Sequence, residues 1–316
     1  MRSRLARSRK TRAELLAGGV ILGVSAIWGA TFVIVKDTVA TWSVTSFLFW
    51  RFLVALVALV AIWPRSLRRI DRSTLTHGLA LGAFLSVGYL AQTAGLETTS
   101  AATSGFLTSL YVVEAPLLAA LATRRRPSSR TFGALGLALV GLAVISLHGL
   151  SFRTGDVLGA VGSLAFASQI AGLGAWSQAS DPVALTVVQL AVVSATSALA
   201  LAPSGFRLPP TAADWASVLA TGLLATTLAL AAQTWAQRRL STTRASLLMA
   251  SEPLFATAGG VLGGEGLPFR VVIGGAAIVL AIVAEVKGTS AAETSASETR
   301  TGDRRRRFRR WRLYTR

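Results

Sequence analysis

Between Leu15 and Val286 the chain is a succession of apolar blocks, each about twenty residues long. They are joined by short connections and are apolar all round rather than along one helical stripe. At a rise of 1.5 Å per residue such a block crosses the hydrocarbon core of a bilayer, about 30 Å thick, as a single helix. In lipid every backbone polar group must find its partner inside the protein, and a helix does this within one segment. The pattern therefore predicts an all-α integral membrane protein with ten transmembrane helices: Leu15–Val35, Val44–Trp63, Thr76–Leu96, Ser100–Thr123, Thr131–His148, Asp156–Trp176, Val183–Ala202, Ala213–Trp235, Ser241–Gly264 and Pro268–Val286. Only 15% of the residues are charged, against about 25% in soluble domains. The chain has no cysteine, which excludes disulfides and thiolate metal sites. His77 and His148 fall near predicted helix ends and read as interfacial residues. No metal, cofactor or enzymatic activity is expected.

The formal net charge of +18 is unevenly placed. Six basic residues lie in Arg2–Arg12 and ten follow Glu285. Basic flanks of membrane spans face the cytoplasm and its anionic lipids, so the expected partners of both termini are membrane lipids, not nucleic acid. The apolar segment after the basic N-terminus is too long for a signal-peptide core and has no clear cleavage site, so it reads as an uncleaved first span. With the N-terminus in the cytoplasm, the inner segments before the tail hold sixteen basic residues: six in Arg2–Arg12, four in Arg65–Arg72, four in Arg124–Arg130, then Arg238 and Arg239. The outer segments hold four: Lys36, Arg153, Arg207 and Arg270. This bias predicts a multi-pass protein of a bacterial-type cytoplasmic membrane with both termini inside.

The chain also repeats itself. Gln92–Leu107 and Gln233–Leu248 correspond at an offset of 141, with Gln-Thr, Ser100/Ser241 and Leu107/Leu248 matching. Weaker matches fall at an offset of 138: Ile27-Trp28-Gly29 with Ala165-Phe166-Ala167, and Arg51 with Gln189. The predicted organisation is a basic cytoplasmic segment (1–14), a first five-helix repeat (15–148), a second (149–286) and a basic, disordered cytoplasmic tail (287–316). Five spans is an odd number, so the second copy runs through the membrane in the opposite sense. Two inverted five-helix repeats are a transporter architecture, with the substrate site near the midplane.

Several residues in this order carry a family resemblance: Trp28-Gly29-Ala30-Thr31-Phe32 in the first span, Arg51-Phe52 in the second, Ser109–Leu118 (SLYVVEAPLL) in the fourth, Asp181-Pro182 before the seventh, and Glu252-Pro253-Leu254-Phe255 with Gly264-Glu265 in the ninth. Over roughly Leu15 to Glu285 the chain resembles the EamA-type permeases of the drug/metabolite transporter superfamily. The resemblance implies a central cavity between two fused repeats and export of small metabolites or drugs. Two features depart from the family pattern: Arg124-Arg125-Arg126-Pro127 at the end of the fourth span, and an added acid, Glu114.

Candidate functional residues are the polar ones that apolar blocks carry at a cost. Glu252 precedes Pro253 near the middle of its span, and the proline leaves a backbone carbonyl without its N–H partner at the same depth. A carboxylate there can bind substrate, or take up and release a proton as its surroundings change. Its plainer role is to close the helix kink. Glu114, two residues before Pro116, has the same two roles open to it. Arg51 reads as a counter-ion or substrate anchor, or as a snorkelling interfacial residue. Arg244 reads as a cytoplasmic anchor or gate. Gln92, Gln233, Gln189 and Gln169, with Tyr89, Tyr111, Trp28 and Trp235, are candidates for a cavity lining. By helical rise Glu252 lies about 14 Å and Arg51 about 10 Å below the outer face, so the two are expected to meet in at least one state.

The expected function is secondary transport of small metabolites or drugs, as an exporter working by alternating access, driven by the proton gradient or the substrate's own gradient. The alternative is a non-transporting membrane sensor or scaffold. The topology is directly testable because the chain lacks cysteine. A single cysteine at position 239 should be labelled only from the cytoplasmic side, and cysteines at 36 and 153 only from outside. Outside labelling at 239 would reverse the second half.

Overall fold

The computed structural model describes residues 2–98, 101–124, 126–146, 154–202, 205–262 and 268–286, and all regular structure among them is helical. The tail 287–316, His148, Arg153, Arg125, Ser100 and Gly264-Glu265 lie outside the described residues. Helix α1 is Arg2–Thr41, α2 Val44–Ile62, α3 Arg72–Thr98, α4 Ala101–Ser109, α5 Tyr111–Thr123, α6 Ser129–Ser146 and α7 Thr154–Trp176. Then come α8 Pro182–Leu201, α9 Ala212–Ala220, a π-helical stretch Thr221–Leu228, α10 Ala229–Gln237, α11 Thr242–Met249, α12 Glu252–Leu262 and α13 Phe269–Val286.

Eight helical stretches are long and apolar enough to cross a membrane: Arg12–Thr41, Val44–Ile62, Arg72–Thr98, Thr103–Thr123, Thr154–Ala179, Pro182–Leu201, Ala212–Gln237 and Phe269–Val286. The other two predicted spans differ. The fifth is α6, whose apolar part, Ser129–Ile145, is shorter. The ninth is not one helix but two, α11 and α12, interrupted at Ala250–Ser251. The cause is local. Pro253 has no N–H for the carbonyl four residues back, and Ser251 turns its hydroxyl onto the Leu248 carbonyl at 2.7 Å. The backbone restarts from Ser251, whose carbonyl accepts from Leu254 and Phe255. The fourth span is interrupted at Leu110, between α4 and α5. Adding 141 to 110 gives 251, so both interruptions fall at corresponding places in the repeat. The two prolines do not correspond, since Pro116 lies within α5.

The two halves pack through each other. Helix α3 lies against α7 and α8, α2 against α8 and the π stretch, α5 against α7 and α11, and α1 against α10, α11 and α12. Glycines let these helices approach closely. A Cβ on Gly78 would sit 2.6 Å from the Val188 side chain, and one on Gly88 would sit 2.7 Å from the Phe166 ring. Buried side chains form two main clusters. One is built around Leu135, Leu142, Ile170 and Leu247, the other around Phe47, Phe52, Leu59 and Leu190. Trp28 and Phe166 pack against both, so they stand at the boundary where a cavity can form.

The helix ends are tied down outside the spans. Asp181 caps α8, accepting from the backbone N–H of Val183 and Ala184 at 3.1 Å each, while Arg69 donates to its other oxygen at 2.7 Å. Burial pushes the Asp181 carboxyl up, but the Ala184 and Val183 amides and the Arg69 guanidinium outweigh it and hold the group below the ordinary carboxylate range. A depressed pKa gives stability that is fully present above the unfolded-state value and lost as pH falls through the folded one. Asp181→Ala should therefore lower the thermal unfolding temperature in detergent at neutral pH, by an amount equivalent to about 1 kcal/mol for the cap. The difference from the parent should close as the pH is lowered below the carboxylate range.

Candidate functional site

Between the two clusters lies a cavity of about 660 Å³, including the part open to solvent. The first half of the chain supplies Trp28, Thr31 and Val35 from α1, Arg51 from α2, Leu85, Tyr89, Gln92 and Leu96 from α3, Thr108 from α4 and Tyr111 from α5. The second half supplies Phe166, Gln169 and Ile170 from α7, Leu230 and Gln233 from α10, Met249 from α11 and Glu252 from α12. Four pairs among them are separated by 141 residues: Tyr89 and Leu230, Gln92 and Gln233, Thr108 and Met249, Tyr111 and Glu252; two more, Trp28 with Phe166 and Thr31 with Gln169, correspond at the offset of 138 that holds early in the repeat. The cavity is thus built twice from corresponding positions.

Glu252 is the first residue of α12, just past the break. A helix N-terminus carries unpaired N–H groups and a positive dipole end, which suits a carboxylate. The Tyr111 hydroxyl donates to its Oε2 at a long 3.5 Å, so two residues at the same place in the two repeats meet across the cavity. Helix α1 passes directly behind. A Cβ built on Gly29 would be 2.5 Å from the Glu252 carbonyl oxygen and 2.9 Å from the Ala256 nitrogen. The absence of a side chain at Gly29 therefore lets α12 start where it does.

Arg51 faces the same cavity, buried to 5% exposure. Its guanidinium lies 5.1 Å from the centre of the Tyr89 ring, 5.5 Å from Phe52 and 6.0 Å from Phe47, a set of cation–π contacts. Its Nε donates to the Thr226 hydroxyl at 2.8 Å. Trp28 is held from the same π stretch, its indole N–H donating to the Ala225 carbonyl at 2.8 Å. Gln92 donates to the Thr108 hydroxyl at 3.1 Å, and Gln169 to the Gln189 amide oxygen at 3.0 Å. The amide oxygen of Gln233 is buried and has no hydrogen-bond donor among the described residues.

Of the sequence candidates, Glu252, Arg51, Gln92, Gln233, Tyr89, Tyr111, Trp28 and Gln169 line the cavity. Gln189 stands behind Gln169. Trp235 lies instead under the Arg239 guanidinium, 3.9 Å from its ring centre. Glu114 is not on the cavity. It is half-buried and accepts from the Ser163 hydroxyl at 2.7 Å, a hydroxyl that also reaches the Thr108 carbonyl. Arg244 pairs with Glu14 of α1 at 3.0 Å, away from the cavity. Among the described residues no ion pair joins Arg51 to Glu252. The sequence reading missed Thr108, Met249, Leu230 and Thr226. Only Leu230 carries a signal findable in the sequence, as the repeat partner of Tyr89 at the offset of 141. Thr226 carries none, because its role depends on a change of helical register.

Comparison with known proteins fits this geometry. The EamA-like transporter family matches residues 15–147 and again 153–284. The chain belongs to that family, within the drug/metabolite transporter superfamily. A protein of Archaeoglobus fulgidus described as an uncharacterized transporter is 30% identical over 236 residues, covering 74% of this chain and 73% of that protein. A protein of known crystal structure superposes with a TM-score of 0.73 at 16% identity, over 85% of this chain and 96% of that one, which shows a shared fold. The chain is therefore an integral, multi-pass membrane protein of a transporter family, and the two family matches are its two repeats.

The contact behind Glu252 can be tested alone. Gly29→Ala should force α1 and α12 apart, because the two nearest neighbours of the new methyl group, the Glu252 carbonyl oxygen and the Ala256 nitrogen, are backbone atoms that cannot rotate away. Overpacking of this kind costs about 1–3 kcal/mol. A lower unfolding temperature is expected for Gly29→Ala in detergent, whereas alanine at Gly19, where a Cβ meets nothing within 4 Å, should leave it unchanged.

Proposed function

We propose that the protein is a secondary transporter of the cytoplasmic membrane that exports small metabolites or drugs by alternating access. Its ten membrane-crossing segments form two inverted five-helix repeats, α6 and the broken pair α11–α12 each counting as one crossing. Both termini are cytoplasmic, and their basic residues rest on anionic lipid. The observation that carries the reading is the meeting of Tyr111 and Glu252, 141 residues apart, across a cavity lined from both halves. A site shared between corresponding halves changes its access when one half rocks against the other. Two discontinuous helices whose N-terminal ends bear on the site are a further transporter feature.

The cavity lining runs from Glu252 and Met249 to Val35 and Leu96. The latter two lie by the predicted outer ends of α1 and α3, where Lys36 donates to the Leu96 carbonyl at 2.8 Å. At the predicted cytoplasmic end, the partly buried Glu14–Arg244 pair ties α1 to α11. The conformation thus reads as outward-facing, with that ion pair as the inner closure. Exchange of substrate and proton at Glu252 would couple transport to the proton gradient.

The test is efflux from cells and movement of labelled metabolites in proteoliposomes at imposed pH gradients. Glu252→Gln should abolish the pH dependence while the protein still reaches the membrane. Arg51→Gln should harm transport comparably, and the double variant should be no worse than either, as for residues acting as one unit. Fully additive losses at matched expression would mean that the two residues act separately. Substrate binding without any movement would mark a sensor instead.

A further inference from the structure

Glu114 stands apart from the cavity and from the ion pairs among the described residues. It is half-buried and lies inside a membrane-crossing stretch, Thr103–Thr123. Its hydrogen-bond partner is the Ser163 hydroxyl of α7. A charged side chain at such a place is costly, and a neutral carboxylic acid avoids most of that cost.

The hydrogens around Ser163 point the same way. Its Oγ lies 2.7 Å from the Glu114 Oε2 and 3.1 Å from the Thr108 carbonyl oxygen. A hydroxyl has one hydrogen to give, and Ser163 is fully buried. If Glu114 is ionised, the Ser163 hydroxyl is the only donor for two acceptors, and one contact sets lone pairs against lone pairs. If Glu114 is protonated, its O–H donates to the Ser163 Oγ and the Ser163 O–H donates to the Thr108 carbonyl. Each contact then has its own hydrogen, at separations ordinary for hydrogen bonds. The Thr108 carbonyl belongs to the last turn of α4, Ala101–Ser109, where carbonyls lack partners within their own helix. The Thr108 hydroxyl in turn accepts from Gln92 on the cavity wall. The line of contacts thus joins α5 and α4 of the first half to α7 of the second.

No positive charge is placed to hold Glu114 ionised. Helix α5 packs chiefly against α7, α11 and α6. The ionisable residue of α7 is Asp156, seven positions from Ser163, or about 10 Å along the helix. That of α11 is Arg244, which pairs with Glu14. That of α6 is Arg130, in its first turn. On α5 itself Tyr111 turns to Glu252, and Arg124 caps the far end, ten residues on, about 15 Å away.

We propose that Glu114 is a second proton-binding site, outside the cavity, carried as the neutral acid in this conformation, and that its proton lets Ser163 of the second half hold the Thr108 carbonyl of the first. Loss of the proton leaves one hydrogen for two acceptors and frees that carbonyl, which loosens the contact between the halves beside the α4–α5 interruption. The site depends neither on Glu252 nor on the molecule that the cavity carries.

Infrared difference spectra of the purified full chain in detergent at neutral pH test the protonation. Glu252→Gln serves as the parent, so that the cavity carboxyl does not contribute. Adding Glu114→Gln should remove one carbonyl-stretch band of a neutral carboxylic acid and leave the carboxylate bands unchanged. Hydrogen exchange in peptides from 101–124 tests the contact. Ser163→Ala and Glu114→Ala should each speed exchange there about fivefold over the unsubstituted chain, as for the loss of one hydrogen bond. Glu114→Gln should exchange like the unsubstituted chain, because its amide N–H replaces the acid O–H as donor to Ser163. Rising pH strips the proton from the folded chain, so the unsubstituted chain should come to exchange faster than Glu114→Gln at the same pH. Unchanged elution on size exclusion shows that the variants are folded.

Loss of a carboxylate band in place of the neutral-acid band overturns the proposal, because Glu114 is then ionised. Alanine variants that exchange like the unsubstituted chain, or a Glu114→Gln variant as loose as Glu114→Ala, remove the proton from any role in the contact. If the alanine variants do not fold, the infrared comparison, which leaves Ser163 in place, decides alone.

Discussion

Within a bilayer the backbone cannot borrow hydrogen bonds from water, so an interrupted helix is tolerated only where protein surrounds the gap. The interruptions at Leu110 and at Ala250–Ser251 meet that condition at corresponding points of the two repeats. Each starts a new helix at the cavity wall, with Tyr111 first in one and Glu252 first in the other. Everything else at the site follows from where those two helices begin. Gly29 lets α1 run against the start of α12, and Trp28, beside it, stands at the boundary of the two apolar clusters.

The repeat makes the cavity symmetric in position but not in chemistry. The first copy contributes rings and hydroxyls at Trp28, Tyr89, Thr108 and Tyr111. The second contributes Phe166, Leu230, Met249 and Glu252 at the matching places. Among the described residues, the one arginine on the cavity comes from the first half and the one carboxylate from the second. Duplication supplied the frame, and divergence within it supplied a charge at each end. The same divergence shows in the helices behind, where the π register of Thr221–Leu228 gives the second half a way to hold side chains of the first.

Much of this was legible in the sequence. A charged or amide side chain inside an apolar block stands out because it is costly there, and so Glu252, Arg51, Gln92 and Gln233 could be named before any coordinates. The same rule had no power to separate Glu252 from Glu114. Both are mid-span acids close to a proline. Ser163, on a different helix, takes up Glu114 and removes it from the cavity. Likewise the depth argument brought Arg51 and Glu252 to one level of the membrane, but depth along a helix says nothing of rotation about its axis. Arg51 turns to Thr226 and the rings of Tyr89, Phe52 and Phe47.

The sequence by itself determined the class of protein, eight of its membrane-crossing blocks and its repeat, because these depend on composition and spacing along one chain, which lipid and backbone hydrogen bonding constrain strongly; its family was legible through the resemblance of its motifs. Only the tertiary structure decided that the ninth block is two helices, that α6 is shorter than a full span by its apolar part, that Arg244 pairs with Glu14, and which polar residues share a cavity. Those outcomes rest on contacts between helices far apart in the chain, set by how closely glycines such as Gly29, Gly78 and Gly88 let them approach. That approach is a property of two surfaces together, and neither segment carries it alone.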